Sequence, residues 1–480
     1  MLDFMGRLRT ALTGSPDAPL VLLGNFEVEE EWARDEPGLP RVAFTAGSAV
    51  VHRMDAFTLL LAGKNDHVVL KAAPDPDHLG YLEELGLDLP RVHTVSGGDP
   101  GQTVTRDALA DPALQETLRA LGPDARIVPH GTSVRDDPAL QETLRALGPD
   151  ARIVPHGTSV REEELSGLTG LPLGTPPAAL CKAVNSKVYS RAVAEATGLR
   201  QATGWSCGNL TELDAAFEEA RFLLRVGRRV VVKDAFGVSG KGISVLADER
   251  RLDTLRRMID RRAARSGDDR VVLVVEEWVD KTADLNYQFT LGRDGSVHFD
   301  FVKEAITEDG VHKGHRFPAR LTTLQLDAVR HAVEVLGRRL AADGYFGVVG
   351  VDAMTDPQGG LYPVVEINAR HNMSTYQARL QERFLGPGSH ALARHYPVRL
   401  RTPLAFGRLR TLLGELLFTG SGSGLLVGNF ATVNAAATED GTPYEGRLHG
   451  LLIGDSPRSL ERTDEAITAR LAALGQEDGA

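Results

Sequence analysis

The sequence predicts a multidomain chain of mixed α/β and α+β type. Its 480 residues, 42% of them hydrophobic, suffice for two or three separate cores. Early apolar runs, "PLVLLGNF" (19–26) and "DHVVLK" (66–71), are continuous rather than alternating, as buried parallel strands are. Later apolar runs come in pairs around turn residues, as antiparallel hairpins do.

Composition narrows the function classes. The net charge is −11 and no Lys/Arg block stands out, which argues against nucleic acid as the main partner. No apolar run approaches the roughly 20 residues that cross a bilayer, and the first residues lack a secretory h-region. Two cysteines, Cys181 and Cys207, are too few for a disulfide framework, so a reduced cytoplasmic setting is expected, with both thiols as packing residues.

A first domain is expected over 1–175. Within it "DPALQETLRALGPDARIVPHGTSVR" occurs twice in succession, giving identical units at 111–136 and 137–162 that differ only in their last residue, Asp136 or Glu162. Repeat arrays keep a pattern and drift in letters. Two identical copies indicate a duplication instead. Each copy reads as an αβ unit: Asp-Pro opens a helix with leucines at i, i+4 and i+7, Gly closes it, and "ARIVPH" is a short strand. One copy is expected in the core and the other on the surface, with His130 or His156 the only residues of the repeat expected near a substrate.

The hinge "LPLGTPPAAL" leads into a second domain, 176–395. There "RRVVVKDAFGVSGKGISVL" (228–246) delivers Lys233 on a strand, followed by a glycine turn whose N–H groups can face phosphate oxygens. The spacing is not that of a P-loop, and an ordinary glycine hairpin is also compatible. "VVLVVEEWVD" (271–280) is a strand ending in Glu276, Glu277 and Trp278, suited to an exocyclic amine or equally to solvent.

The stretch "FGVVGVDAMTDPQGGLYPVVEINARHNMS" (346–374) is the most informative. A hairpin turning near Gly359 sets Asp352 opposite Glu366, with Asn368 and Arg370 on the same face. Opposed carboxylates repel unless a cation lies between them. Two acids and an amide form an all-oxygen set suited to Mg²⁺ or Mn²⁺ bridging phosphates, and Arg370 can meet an anion beyond it. Upstream, "KEAITEDGVHKGHRFPARL" (303–321) clusters His312, Lys313, His315 and Arg316, which suit a substrate carboxylate or a solvated loop. His371 and Asn372 are further substrate candidates. A third region, 396–480, is expected as a small α+β domain.

In this order the three segments resemble the ATP-grasp fold, two lobes that clamp ATP between a glycine-rich lid and an acidic floor. A closer resemblance, carried by "VLLGNFEVEEEW", "LGTPPAALCKAVNSKVYSRAVAEATGLRQATGWS", "EINARHNMSTY" and "GRLHGLLIGDS", is to the pheganomycin-type peptide ligases of natural-product biosynthesis. It implies a Rossmann-like pre-ATP-grasp domain in front and a family-specific domain behind. It implies Lys187, Lys233, Gly237, Ser239, Gly240, Lys241 and Gly242 at the phosphates, Glu276, Glu277, Trp278 and Val279 at the adenine, and Asp284 at the ribose. Asp352, Glu366 and Asn368 are then ligands of two Mg²⁺ (or Mn²⁺) ions, and Arg370 and Lys233 catalytic. The implied reaction joins an amino-acid or peptide carboxylate to an amine through an acyl phosphate, at the expense of ATP. A homodimer is compatible with it. A small-molecule kinase or a non-catalytic ATP-binding module would use the same clamp.

Overall fold

The computed structural model describes residues 2–39, 48–97, 101–121, 151–237, 242–308 and 311–477. A first sheet holds β1 (Leu20–Leu23), β2 (His67–Leu70), β3 (Arg91–Thr94) and β4 (Arg152–Pro155), all parallel, in the order β3-β2-β1-β4. β1 and β2 are buried along their whole length, which accounts for their continuous apolar sequence. The strand order reverses beside β1, and polar groups collect beyond the C-terminal ends of β1 and β4, as in other sheets of this topology.

The duplicated segment fills its slot in an unexpected way. The helix Pro112–Arg119 belongs to the first copy and β4 to the second. Among the described residues each copy thus contributes one half of the unit, and the expectation of one copy in the core and the other on the surface turns also on residues 122–150. Residues 122–150, including the strand of copy one, the helix of copy two and His130, lie outside the described residues.

Local chemistry explains the choice. Asp111 caps its helix through Leu114 N (3.0 Å) and also accepts from Ser96 N (2.7 Å), while Gln115 donates to Ala108 O and Leu109 O. These contacts hold the first helix to what precedes it. β4 runs into the helix Val160–Thr169, whose capping box pairs Ser159 with Glu162. Glu162 also accepts from Thr105 Oγ1 at 2.7 Å. In copy one the matching residue is the shorter Asp136, and Pro138 falls where that helix has Glu164. Proline there would break the helix, so only the second strand can lead into it.

The next sheet, β5 (Gly204–Asn209), β6 (Val230–Asp234), β7 (Ile243–Leu246) and β8 (Arg270–Glu277), is antiparallel in the order β5-β8-β6-β7. The helices Leu210–Arg225 and Glu249–Ser266 pack Leu213, Phe217, Leu252 and Ile259 against it.

The largest sheet contains β9 (Ala283–Leu291), β10 (Val297–Glu308), β11 (Val311–Phe317), β12 (Gly347–Thr355), β13 (Leu361–Asn368), β14 (His390–Leu400), β15 (Gly424–Asn429) and β16 (Tyr444–Gly454). Their order is β13-β12-β9-β10-β11-β14-β16-β15. The division expected at 395/396 is not a break in this sheet. It falls inside β14, which pairs with β11 on one side and along eleven positions with β16 on the other. The C-terminal strands therefore extend the same ladder, backed by the helix Pro457–Glu477. The largest core cluster joins this end of the sheet to the first domain, packing Leu60, Tyr81, Tyr396, Phe406 and Leu452 together. Among the described residues no helix is long and apolar enough to cross a membrane.

Candidate active site

β9 shows how one face of the large sheet becomes polar. Leu285, Tyr287, Phe289 and Leu291 point into the core beneath, so Asp284, Asn286, Gln288 and Thr290 occupy the other face. Register then aligns a polar row across four strands: Glu366 on β13 faces Asp352 on β12, Asp352 faces Asn286 on β9, and Asn286 faces Lys303 on β10.

Asp352 and Glu366 face each other as expected, although a register shift between Asp352 and Met354 separates this pair from the ladder beside the turn. Burial, followed by the charge of Glu366, pushes the Asp352 carboxyl up to about 6. Asn286 Nδ2 (2.9 Å) and Asn368 Nδ2 (3.2 Å) donate to it. The side-chain oxygen of Asn286, Oδ1, is buried without a partner. Among the described residues no three His, Cys, Asp or Glu gather as a metal cluster, so the donor set is two acids with amide oxygens beside them. That set, with one orphaned oxygen and a carboxyl short of compensating charge, fits a hard divalent cation.

Lys187 opens the helix Lys187–Thr197, whose N-cap Ser186 accepts from Tyr189 N. Its ammonium reaches Glu366 at 2.6 Å and Gly237 O at 3.2 Å, so one residue ties the floor to the glycine turn. Lys233 on β6 pairs with Glu276 on β8, and Arg191 approaches the same carboxylate at 3.2 Å. Alternation turns the neighbouring Glu277 the other way, onto Arg228. The expected adenine pair is therefore split, with Glu276 on the Lys233 side. Trp278 lies beneath Arg229, and Val279 is half-exposed. Asp284 binds Lys281 (2.6 Å) and Thr307 (2.7 Å) at the start of β9. Ser239, Gly240 and Lys241 lie outside the described residues. Gly242 has φ +76°, and a Cβ there would stand 2.5 Å from Asp234, whose N–H donates to Gly242 O.

Arg370 is held on all sides. It donates through Nε to Glu29 (2.8 Å), through Nη1 to His371 O (2.8 Å) and through Nη2 to Asn368 Oδ1 (3.0 Å), with a second contact from Nη2 to Glu29. Glu29 lies in the first turn of the helix Val28–Ala33, which follows β1. Asn25 fastens that turn to the end of β4, accepting from His156 N (2.9 Å) and donating to Gly157 O (2.7 Å), and Trp32 Nε1 donates to Thr158 O. His371 N in turn donates to His156 O, and His156 Nδ1 lies 2.9 Å from Tyr376 Oη. Burial lowers both imidazoles, His371 to about 4, so neither carries charge at neutral pH. A cavity of about 20 Å³, room for one water-sized group, opens beside His156, Cys181, Arg370 and His371.

Asn372 approaches β12 where a side chain at Gly350 would lie 2.1 Å from its Nδ2. Its Oδ1 accepts from Ser374 N and Thr375 N. Lys303, completely buried, donates to Ser374 O (3.1 Å) and Gln377 Oε1 (2.9 Å), and burial drives its ammonium well below the usual range. His371 and Asn372 thus build the loop. Of the basic stretch on β11, Arg316 pairs with Glu304 on the opposite face of the sheet. Among the described side chains of that stretch, His315 lies on the site's side, 3.3 Å from Ser374 Oγ. Lys313 is half-buried at an irregular position in β11, and the side chain of His312 is outside the described residues. Burial pushes the thiols of Cys181 and Cys207 up to about 12, in keeping with packing rather than reactivity.

Glu29 and Asn286 were missed by sequence reasoning. The polar stripe at every second residue of β9 would have found Asn286. Nothing local marks Glu29, which meets its partner 341 positions away.

Residues 57–135 match the family model of the pre-ATP-grasp domain. The [butirosin acyl-carrier protein]–L-glutamate ligase of Niallia circulans is 32% identical over 203 residues, which cover 42% of this chain and 46% of the ligase. The match thus spans about half the length of that relative. An ADP complex of N5-carboxyaminoimidazole ribonucleotide synthetase superposes over 94% of this chain and 96% of its own, at 14% identity and TM-score 0.52. Biotin carboxylase from Campylobacter jejuni, complexed with β,γ-ATP, does so over 94% and 91%, at 13% identity and TM-score 0.52. At these identities the likeness is one of fold.

Proposed function

We propose that this chain, an ATP-grasp protein with its pre-ATP-grasp domain, is an ATP-dependent ligase that joins a carboxylate to an amine through an acyl phosphate. The observation that carries this reading is the convergence of Lys187, Asp352, Glu366, Asn368 and Arg370 on one face of the large sheet. The 32% identical relative, named as a ligase of glutamate and a carrier protein, points the same way.

In the first step a substrate carboxylate attacks the γ-phosphate of ATP, the bond to the β-phosphate oxygen breaks, and ADP leaves. Phosphoryl transfer asks for alignment and charge neutralisation. Lys187 and Lys233, each now paired with a carboxylate, would supply two cations to the phosphates, and the turn from Gly237 to Gly242 would supply N–H groups. Asp352, Glu366 and Asn368 would hold Mg²⁺, which when bound neutralises phosphate charge. In the second step an amine attacks the acyl carbon and phosphate departs. Arg370 would neutralise the oxygen that becomes negative there. Closure of the glycine turn would keep water from the acyl phosphate.

Incubation with ATP, Mg²⁺, hydroxylamine and a panel of carboxylic acids tests the reading. ADP together with a trapped hydroxamate is expected. A stable phosphorylated acceptor would identify a kinase instead, and absence of ADP with every acid would favour a binding module.

A further inference from the structure

We infer that Asp234 is a positioning residue for ATP, acting through Lys233, and that residues 36–39 of the first domain hold it in place. The inference rests on the ligase reading above for the identity of the nucleotide, and it gives the first domain a part in binding that nucleotide.

Phosphoryl transfer needs the groups around the phosphates in fixed relation to one another. Here those groups come from two sheets. Asp352, Glu366 and Asn368 stand on the large sheet, whereas Lys233 stands on β6 of the sheet β5-β8-β6-β7. The two sheets are separate, so strand ladders do not set the distance between them.

The chain leaving the helix Val28–Ala33 runs into the smaller sheet. Val272 N donates to Pro37 O (3.0 Å), Arg262 Nη1 to Gly38 O (2.6 Å) and Leu39 N to Asp234 Oδ1 (2.5 Å). The Leu39 side chain is buried in the core of that sheet. Asp234 is buried as well and follows Lys233 directly. A Cβ at Gly38 would collide with Asp234 Oδ1, so glycine is what lets the strap come this close. Alternation along β6 puts Asp234 on the core face and Lys233 on the other. The strap therefore grips the strand from behind the lysine.

The same piece of chain reaches the other reacting end. Its helix carries Glu29, which holds Arg370. It also packs Val28, Trp32 and Ala33 into one core with Ala235 and Phe236, the two residues after Asp234. Glu36 N donates to Ala33 O (3.3 Å) and the Glu36 carboxylate pairs with Lys182 (2.6 Å), which fixes the turn from helix to strap. Arg370 and Lys233 are thus both referred to one segment of the first domain. A strap displaced by about an ångström shifts the end of β6 against the floor, and misplacement on that scale is costly. The residues expected at the adenine, from Glu276 onward, lie toward the opposite end of β8 from Val272. Loss of the strap should therefore be felt at the phosphates and not at the base.

Calorimetric titration of the full chain in Mg²⁺, with a non-hydrolysable ATP analogue and with adenosine as the two probes, tests this split. Gly38→Ala should weaken the ATP analogue at least about tenfold and leave adenosine unchanged. Asp234→Ala should do the same, and Asp234→Asn, which keeps an acceptor for Leu39 N, should recover most of the loss. The inference is overturned if Gly38→Ala leaves both affinities unaltered, if it weakens both probes alike, as a merely structural role would, or if Asp234→Asn is as weak as Asp234→Ala. Should Asp234→Ala fail to fold, Gly38→Ala with the two probes decides. Hydrogen exchange across residues 230–234, measured without nucleotide, separates this inference from the ligase reading. Faster exchange in Gly38→Ala, in a chain whose unaltered form binds neither probe, would sink the ATP reading and leave the support of β6 standing. Unchanged exchange would remove that support.

Discussion

The floor hairpin β12–β13 and the duplicated αβ unit are both built from short, readable patterns, yet they respond to sequence differently. In the hairpin Asp352 meets Glu366 as spacing about Gly359 predicts, through a register shift between Asp352 and Met354 that separates this pair from Met354–Tyr362 and Thr355–Leu361 beside the turn. In the αβ unit two identical candidates exist for each half; the described helix is held by Ser96, Ala108 and Leu109 outside the repeat, and the helix after β4 is capped by Glu162, whose partner is Thr105. Local pattern specifies an element; only its neighbours specify which copy of it is used.

The largest effect that would break this contrast lies in the hairpin. Glu366→Ala should lower ADP formation at least about 10³-fold, with the melting temperature followed in parallel because Lys187 loses its partner. Full activity in the variant would remove the hairpin from the chemistry.

The first domain has its own buried acid. Glu27, 3.4 Å from His52 and with one oxygen unpartnered, is raised to about 8, chiefly by burial. Between pH 4.5 and about 8 the folded chain holds a proton there that the unfolded chain has lost. The stability this contributes is complete below pH 4.5 and is lost as pH rises through about 8. The slope is at most about 1.4 kcal/mol per pH unit. Glu27→Gln should flatten the fall in melting temperature over that window, and an unchanged profile would show that another group is responsible.

A smaller change sharpens the choice between copies. Glu162→Asp gives the second copy the ending of the first, and loss of the capping box should cost about 0.5–2 kcal/mol of denaturant stability. No change would mean that the helix after β4, through the position matched by Pro138, is sufficient alone.

The smallest effect is expected from removing residues 111–136. Because the copies are identical, the product keeps Glu162 and one complete unit, joined directly. Closure cost grows only with the logarithm of loop length, so the melting temperature should hold or rise slightly. A collapse of folding would show that the present division between the copies is required.

The legible part of the site follows from the same distinction. Lys233, Asp352, Glu366 and Asn368 sit on strands whose faces alternate every second residue, and the acids lie on the two arms of one hairpin, where a register shift beside Asp352 was not legible. Lys187 came from the resemblance to a known fold. Glu29 could not be read, because contact between residues 341 apart depends on how β1, β4 and the floor stack. Arg316 was misread because one step along β11 exchanges faces, and among the described side chains His315 lies on the site's side. The division of Glu276 from Glu277 has the same origin.

The continuity of β14 has a consequence for inheritance. A crossover between related genes near 395 would cut a strand in the middle of a hydrogen-bonded ladder and pair halves that had never shared a register. A crossover flanking β5 to β8 would exchange a sheet with its own core and helices. Lineages built on this plan should therefore trade their lids more readily than their tails, and the C-terminal region should descend together with the acids of the floor.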